Sequence, residues 1–159
     1  MTNLISIEGR RRLQEEYDFL WEKERPKVVR EVSDAAAEGD RSENASYIYG
    51  RKRLREIDSR LKYLGNRLKA LKVALPPANP TTVSFGCWVT YEDEEAKEYC
   101  YQLVGPDEFD VSIGRISIDS PVGIALLGKK VDDEVLLKRP AGNLSVVIVS
   151  ISATKNIVC

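Results

Sequence analysis

Histidine is absent from the 159-residue chain. That removes Ser–His–Asp and Cys–His triads from consideration, together with His-based zinc sites. Cysteine is scarce. Cys87, Cys100 and Cys159 are odd in number and lack metal-ligand spacing, and they read as reduced thiols of a cytoplasmic protein. A Cys87–Cys100 bridge is conceivable if their strands are neighbours. No glycine-rich phosphate loop occurs. Long hydrophobic runs are missing too: the most apolar stretch, near Leu144–Ile151, is far too short to span a bilayer, and no membrane partner is expected. Met1–Arg12 is polar and then arginine-rich, unlike a signal peptide. The expectation from these absences is a protein without a self-contained active site.

What is present is unevenly charged. Residues 1–38 carry 7 basic and 9 acidic side chains, residues 39–74 carry 10 and 4, and residues 75–159 carry 7 and 12. A net charge of -1 therefore conceals a basic segment followed by an acidic one.

Periodicity divides the chain in two. Ser6 to Glu38 reads as a helix with an apolar stripe of Leu13, Tyr17, Leu20, Trp21, Val28, Val32 and Ala35, bent at Pro26. Ser42 to Val73 reads as a second helix. Tyr47, Leu54, Leu61 and Leu68 recur every seventh residue, with Gly50, Ile57, Leu64 and Leu71 between them, which is a heptad seam. A short turn makes the two helices an antiparallel coiled-coil hairpin over 1–75, with its tip at 39–45. Leu75-Pro76-Pro77-Ala78-Asn79-Pro80 ends the second helix and opens a linker, 76–81. Over 82–159 the period becomes two. Strands are expected at Val83–Tyr91, Tyr99–Val104, Arg115–Ile118, Glu134–Lys138 and Leu144–Ile151, and Ser120-Pro121 should start a short helix through Leu127. The fold class is α+β.

The tip, Gly39-Asp40-Arg41-Ser42-Glu43-Asn44-Ala45, holds two carboxylates far from any core. One reading is helix punctuation, with Asp40 as N-cap and Glu43 three residues on in an acidic capping box. The other is half of a metal site. Magnesium takes about six oxygen ligands, so Asp40 and Glu43 would bind it weakly until another molecule supplied the rest. The two readings are compatible, because a cap also aims its side chains.

Between Arg51 and Lys72 nine cations face only Glu56 and Asp58. Arg51, Lys52, Arg53 and Arg55 cluster near the tip. They suit either ion pairs with the first helix or a polyanion such as RNA. Exposed aromatics are few in this reading, so phosphate steering is favoured over base stacking.

Several segments together carry a resemblance: residues 39–45, Glu24-Arg25-Pro26, Lys52-Arg53-Leu54-Arg55-Glu56-Ile57-Asp58, Ile116-Ser117-Ile118-Asp119-Ser120-Pro121 and Ala125-Leu126-Leu127-Gly128-Lys129. The chain resembles the bacterial Gre transcript cleavage factors, closest to the GreB branch, over nearly its whole length. The resemblance implies a coiled-coil hairpin followed by an FKBP-like domain in a cytoplasmic, monomeric protein that binds bacterial RNA polymerase. The hairpin would enter the polymerase secondary channel. There Asp40 and Glu43 would share the Mg2+ of the polymerase active site and stimulate cleavage of backtracked RNA near its 3′ end, without the factor being an enzyme by itself. It further implies RNA contacts for Arg51, Lys52, Arg53 and Arg55, and polymerase docking at Asp119, Ser120 and Pro121. Ser46 stands where the family usually has a third acidic residue. That substitution favours the alternative of a non-cleaving regulator occupying the same channel.

Overall fold

The computed structural model describes residues 2–39 and 43–155. Two compact units emerge, Arg10–Leu71 and a second made of Met1–Gly9 with Lys72–Cys159. The hairpin expected over 1–75 is thus Arg10–Leu71, and both of its flanks belong to the sheet unit. The flanks are tied there by a short parallel pairing of β1 (Leu4–Ile5) with β2 (Lys72–Val73).

In the hairpin unit the first arm is not one bent α-helix. α1 (Ile7–Phe19) is followed by a π-helical turn at Leu20–Glu24 and then by α2 (Arg25–Ala37), which has Pro26 in its first turn. Proline has no N–H to donate. The widened turn lets the Arg25 N–H reach back five residues to the Leu20 carbonyl just before it. The seam explains why the extra residue is tolerated. Leu13, Leu20, Val28 and Ala35 are all buried, at spacings of seven, eight and seven residues, and the π turn absorbs the one residue by which the middle step exceeds a heptad. Trp21, expected in the stripe, is 56% exposed and lies under the Arg25 guanidinium, 5.8 Å from its ring centroid.

The second arm, α3 (Ala45–Ala70), is shorter at both ends than the expected 42–73. Its 26 residues extend about 39 Å at 1.5 Å each. Gly50, Ile57, Leu61, Leu64 and Leu68 are buried along the expected seam, and Leu71 just beyond is buried as well. Gly50 is required sterically: a Cβ there would lie 2.7 Å from Val32 Cγ2. At the base of the arm, Arg10 donates to the Leu71 carbonyl at 3.3 Å.

The sheet unit has five strands in the order β5-β4-β3-β7-β6: β3 (Trp88–Asp93), β4 (Glu98–Val104), β5 (Arg115–Ser117), β6 (Glu134–Leu137) and β7 (Leu144–Ser152). Only β4 and β5 run parallel; the other pairs are antiparallel, with a register shift between β3 and β7 at Thr90/Tyr91. The first expected strand is cut short, because Phe85 and Gly86 form a turn with Gly86 at φ +83°. Alternation puts Val89 and Tyr91, Val135 and Leu137, and Val146 and Ile148 into one core with Leu103 and Ile118. Leu126 of α4 (Pro121–Leu126) fills the same core, and α4 packs on β5 and β6. The expected α+β architecture stands. Cys87 is a fully buried free thiol, so it does not bridge to Cys100. Cys100 is itself disulfide-bonded, which overturns the expectation of three reduced cysteines.

Candidate functional sites on the hairpin and the sheet unit

The tip is built from two helix ends. α2 stops at Ala37, and Gly39, at φ +126°, takes a backbone conformation that a side chain would resist. On the other side the N-cap of α3 is Asn44. Its Oδ1 accepts from the Tyr47 N–H at 3.1 Å, and its Nδ2 donates to the Ala35 carbonyl at 2.7 Å. This corrects the expected capping box. The cap is Asn44, because α3 begins at Ala45, three residues later than expected, and Glu43 lies just outside the helix rather than at its third position. Glu43 is exposed and immediately precedes the cap, beside the positive end of the α3 dipole. Asp40 lies outside the described residues. The first turn of α3 contains no acidic side chain, Ser46 being part of it.

A carboxylate such as Glu43 offers at most two oxygens to a cation that takes about six. Glu43 alone therefore cannot complete the shell of such a cation.

The basic quartet is divided. Arg53, partly buried, approaches Glu24 of the first arm at 3.8 Å and Glu56 at 3.7 Å. Further along, Arg60 makes two bonds to Glu16, at 2.7 and 3.0 Å, and Arg25 donates to Asp58 at 2.7 Å, which raises the Arg25 pKa above its ordinary value. So Arg53 and Arg60 on one flank of the seam pair across the hairpin, and Asp58 on the other flank pairs with Arg25. On the other flank Arg51 sits over the Tyr47 ring, 6.0 Å from its centroid, while Lys52 and Arg55 make no ion pair among the described residues. The ion-pair reading holds for Arg53.

The expected docking triplet has local structural duties. Asp119 accepts from the Thr2 N–H at 2.8 Å and the Thr2 hydroxyl at 2.5 Å, and these bonds hold its carboxyl below the usual range. Ser120 caps α4, accepting from the Gly123 N–H at 3.1 Å, and Pro121 is the first residue of that helix. Asp119 and Ser120 also line a cavity of about 490 Å³ whose apolar wall includes Tyr91, Tyr101, Phe109 and Val122. Tyr91 stacks on Tyr99, with centroids 5.3 Å apart and planes 20° from parallel, and its burial pushes the phenol well above its ordinary pKa. Sequence reasoning missed this pocket. Tyr99 and Tyr101 at alternate positions of one strand were the available signal.

Fold and sites define a two-unit protein in which a helical hairpin bears the charged groups and a small α+β unit bears an aromatic pocket. The chain belongs to the GreA/GreB transcription elongation factor family. Residues 3–73 match the family's domain described as "Transcription elongation factor, N-terminal", and residues 78–153 match "Transcription elongation factor, GreA/GreB, C-term". It is 56% identical over 142 residues to transcription elongation factor GreB of Pseudomonas aeruginosa, covering 89% of this chain and 84% of that one. To GreB of Yersinia pestis it is 52% identical over 151 residues, covering 94% and 88%. Among solved structures, the GreA factor homolog 1 (Gfh1) of Thermus thermophilus aligns at a TM-score of 0.44 and 22% identity, covering 95% of this chain and 99% of that one.

Proposed function

We propose that this protein binds RNA polymerase, inserts its hairpin into the secondary channel, and stimulates the polymerase's own cleavage of backtracked nascent RNA. The observation that carries this reading is the exposed Glu43 carboxylate at the end of a two-helix arm, one residue ahead of the cap that orients the helix start. Asp40 and Glu43 would hold Mg2+ together with polymerase ligands. The ion would supply, when bound, a water acidic enough to lose its proton and so become the nucleophile toward a phosphodiester. The chain itself supplies reach, through about 39 Å of α3, and orientation, through Asn44. Lys52 and Arg55 steer the extruded RNA 3′ end by charge. The factor acts as a monomer in the cytoplasm, where the polymerase is, and needs no activity of its own. Docking falls to the pocket beside Asp119, Ser120 and Pro121.

The test is a stalled, backtracked elongation complex given wild-type protein, Asp40→Ala or Glu43→Ala at saturating concentration. Cleavage should slow by at least tenfold in each variant, with polymerase affinity preserved in a competition assay. Cleavage at the wild-type rate by both variants would sink the tip-metal reading.

A non-cleaving regulator is the second reading, favoured by the absence of an acid in the first turn of α3. It predicts polymerase binding without stimulated cleavage at any magnesium concentration.

A further inference from the structure

Tyr49 is 72% exposed and Tyr63 is 45% exposed, and both lie on the solvent side of α3. Few exposed aromatics are expected on this basic helix from its sequence, and these two are exposed. Steps of three, four, three and four residues connect Tyr49, Lys52, Glu56, Ser59 and Tyr63, so one helical stripe carries all five. A shallow groove lined by Lys52, Arg55, Glu56, Ser59, Arg60 and Tyr63 runs along the helix beyond Tyr49. Its charges are unequal. Arg60 is held by Glu16 and Glu56 lies near Arg53, whereas Lys52 and Arg55 have no acidic partner among the described residues. The buried side of the helix, from Gly50 through Ile57 and Leu64, already makes the seam. The seam uses neither ring; the Arg60 guanidinium lies over the Tyr63 ring, 5.4 Å from its centroid, and both rings still reach solvent.

We infer that Tyr49 and Tyr63 are base-stacking platforms at the two ends of a short single-stranded RNA track on α3, with Lys52 and Arg55 contacting phosphates between them. Charge selects the occupant, since two uncompensated cations flanked by exposed rings match the alternation of phosphate and base in a single strand. Fourteen residues of helix separate the rings by ~21 Å. At about 3.4 Å per stacked nucleotide, some six nucleotides join them. Stacking on a ring tolerates any base, so the track follows RNA of any sequence. The inference rests on the proposed RNA contact of the basic helix and adds the aromatic half of it.

The experiment titrates the full chain into a 5′-labelled, mixed-sequence 12-nucleotide RNA and reads fluorescence anisotropy at several salt concentrations. Tyr49→Ala and Tyr63→Ala should each weaken binding roughly tenfold with the salt dependence unchanged, because stacking releases no counterions. Tyr49→Phe and Tyr63→Phe keep the ring and should bind like wild type. Lys52→Ala and Arg55→Ala should each reduce the slope of log affinity against log salt by about one. Melting curves of all variants establish that the hairpin is intact. Wild-type affinity in both tyrosine-to-alanine variants, alongside weakened Lys52→Ala and Arg55→Ala, would overturn the stacking platforms and leave the phosphate contact standing. If wild-type protein fails to bind the RNA at low salt, both the platforms and the RNA contact fall.

Discussion

The Asn44 side chain and the Ala35 carbonyl are joined across the hairpin turn by a 2.7 Å hydrogen bond, while the same amide caps α3 through Tyr47. One residue thus gives the Ala35 carbonyl a second donor beside the Glu38 N–H and satisfies an orphan donor at the start of α3. Asn44→Ala should lower the stability of the hairpin by about 1–2 kcal/mol. Asn44→Asp keeps the acceptor for Tyr47 but loses the donor to Ala35, so it should fall between the two. Thermal melts followed by circular dichroism rank the three proteins.

Gly50 sets two effects in opposition. Alanine is the better helix former by about 1 kcal/mol, but its Cβ would meet Val32 Cγ2 at 2.7 Å. Overpacking of this kind costs about 1–3 kcal/mol, and the stiff valine has little room to turn. Gly50→Ala should therefore melt lower than wild type. Adding Val32→Ala removes the clash, so the two substitutions should be strongly non-additive in chemical denaturation. Simple additivity would show that the seam is looser than the contact implies.

Glu16 and Arg60 pair with both guanidinium bonds satisfied, yet both side chains remain solvated. Exposed pairs contribute roughly 0.2–1 kcal/mol. A double-mutant cycle with Glu16→Gln and Arg60→Gln should return a coupling in that range, fading toward zero in 1 M salt. Coupling that persists in high salt would contradict a solvated pair.

Asp119 is held below the usual carboxylate range chiefly by the Thr2 hydroxyl, with the Thr2 N–H second. A depressed native pKa stabilises the fold above the unfolded-state value near 3.8 and loses that contribution as pH falls through the native one. Wild type should lose melting temperature below about pH 4 more steeply than Asp119→Asn. Equal slopes would mean that the Thr2 bonds do not persist in solution.

Phe109 is an exposed wall of the aromatic pocket and takes no part in the sheet core. Phe109→Asp should weaken polymerase binding at least tenfold without changing the melting temperature. Ser120→Ala is less informative there, because it also removes the cap of α4.

The division into two helices, a proline-rich break and an alternating sheet was legible in the sequence, because each depends on the spacing of apolar residues a turn or two apart. Even the π turn left a trace, in the eight-residue step from Leu20 to Val28. It was read instead as a bend at Pro26, since proline alone gives no sign of how the preceding carbonyls are satisfied. The tip carboxylates were visible as residues. Which side chain caps the helix was not, because Asp40 and Asn44 are both good caps and only the start of α3 at Ala45 chooses between them.

By itself, the sequence determined the hairpin seam, the strand alternation, the basic character of α3 and the family resemblance. All of these are encoded by local spacing or by contiguous motifs. Only the tertiary structure decided which cations Glu16 and Glu24 neutralise, that two tyrosines of the basic helix face solvent, that Tyr91, Tyr101 and Phe109 share a pocket, and that the first nine residues belong to the sheet unit. Those outcomes depend on how one element packs against another, which the apolar spacing within each element does not settle by itself.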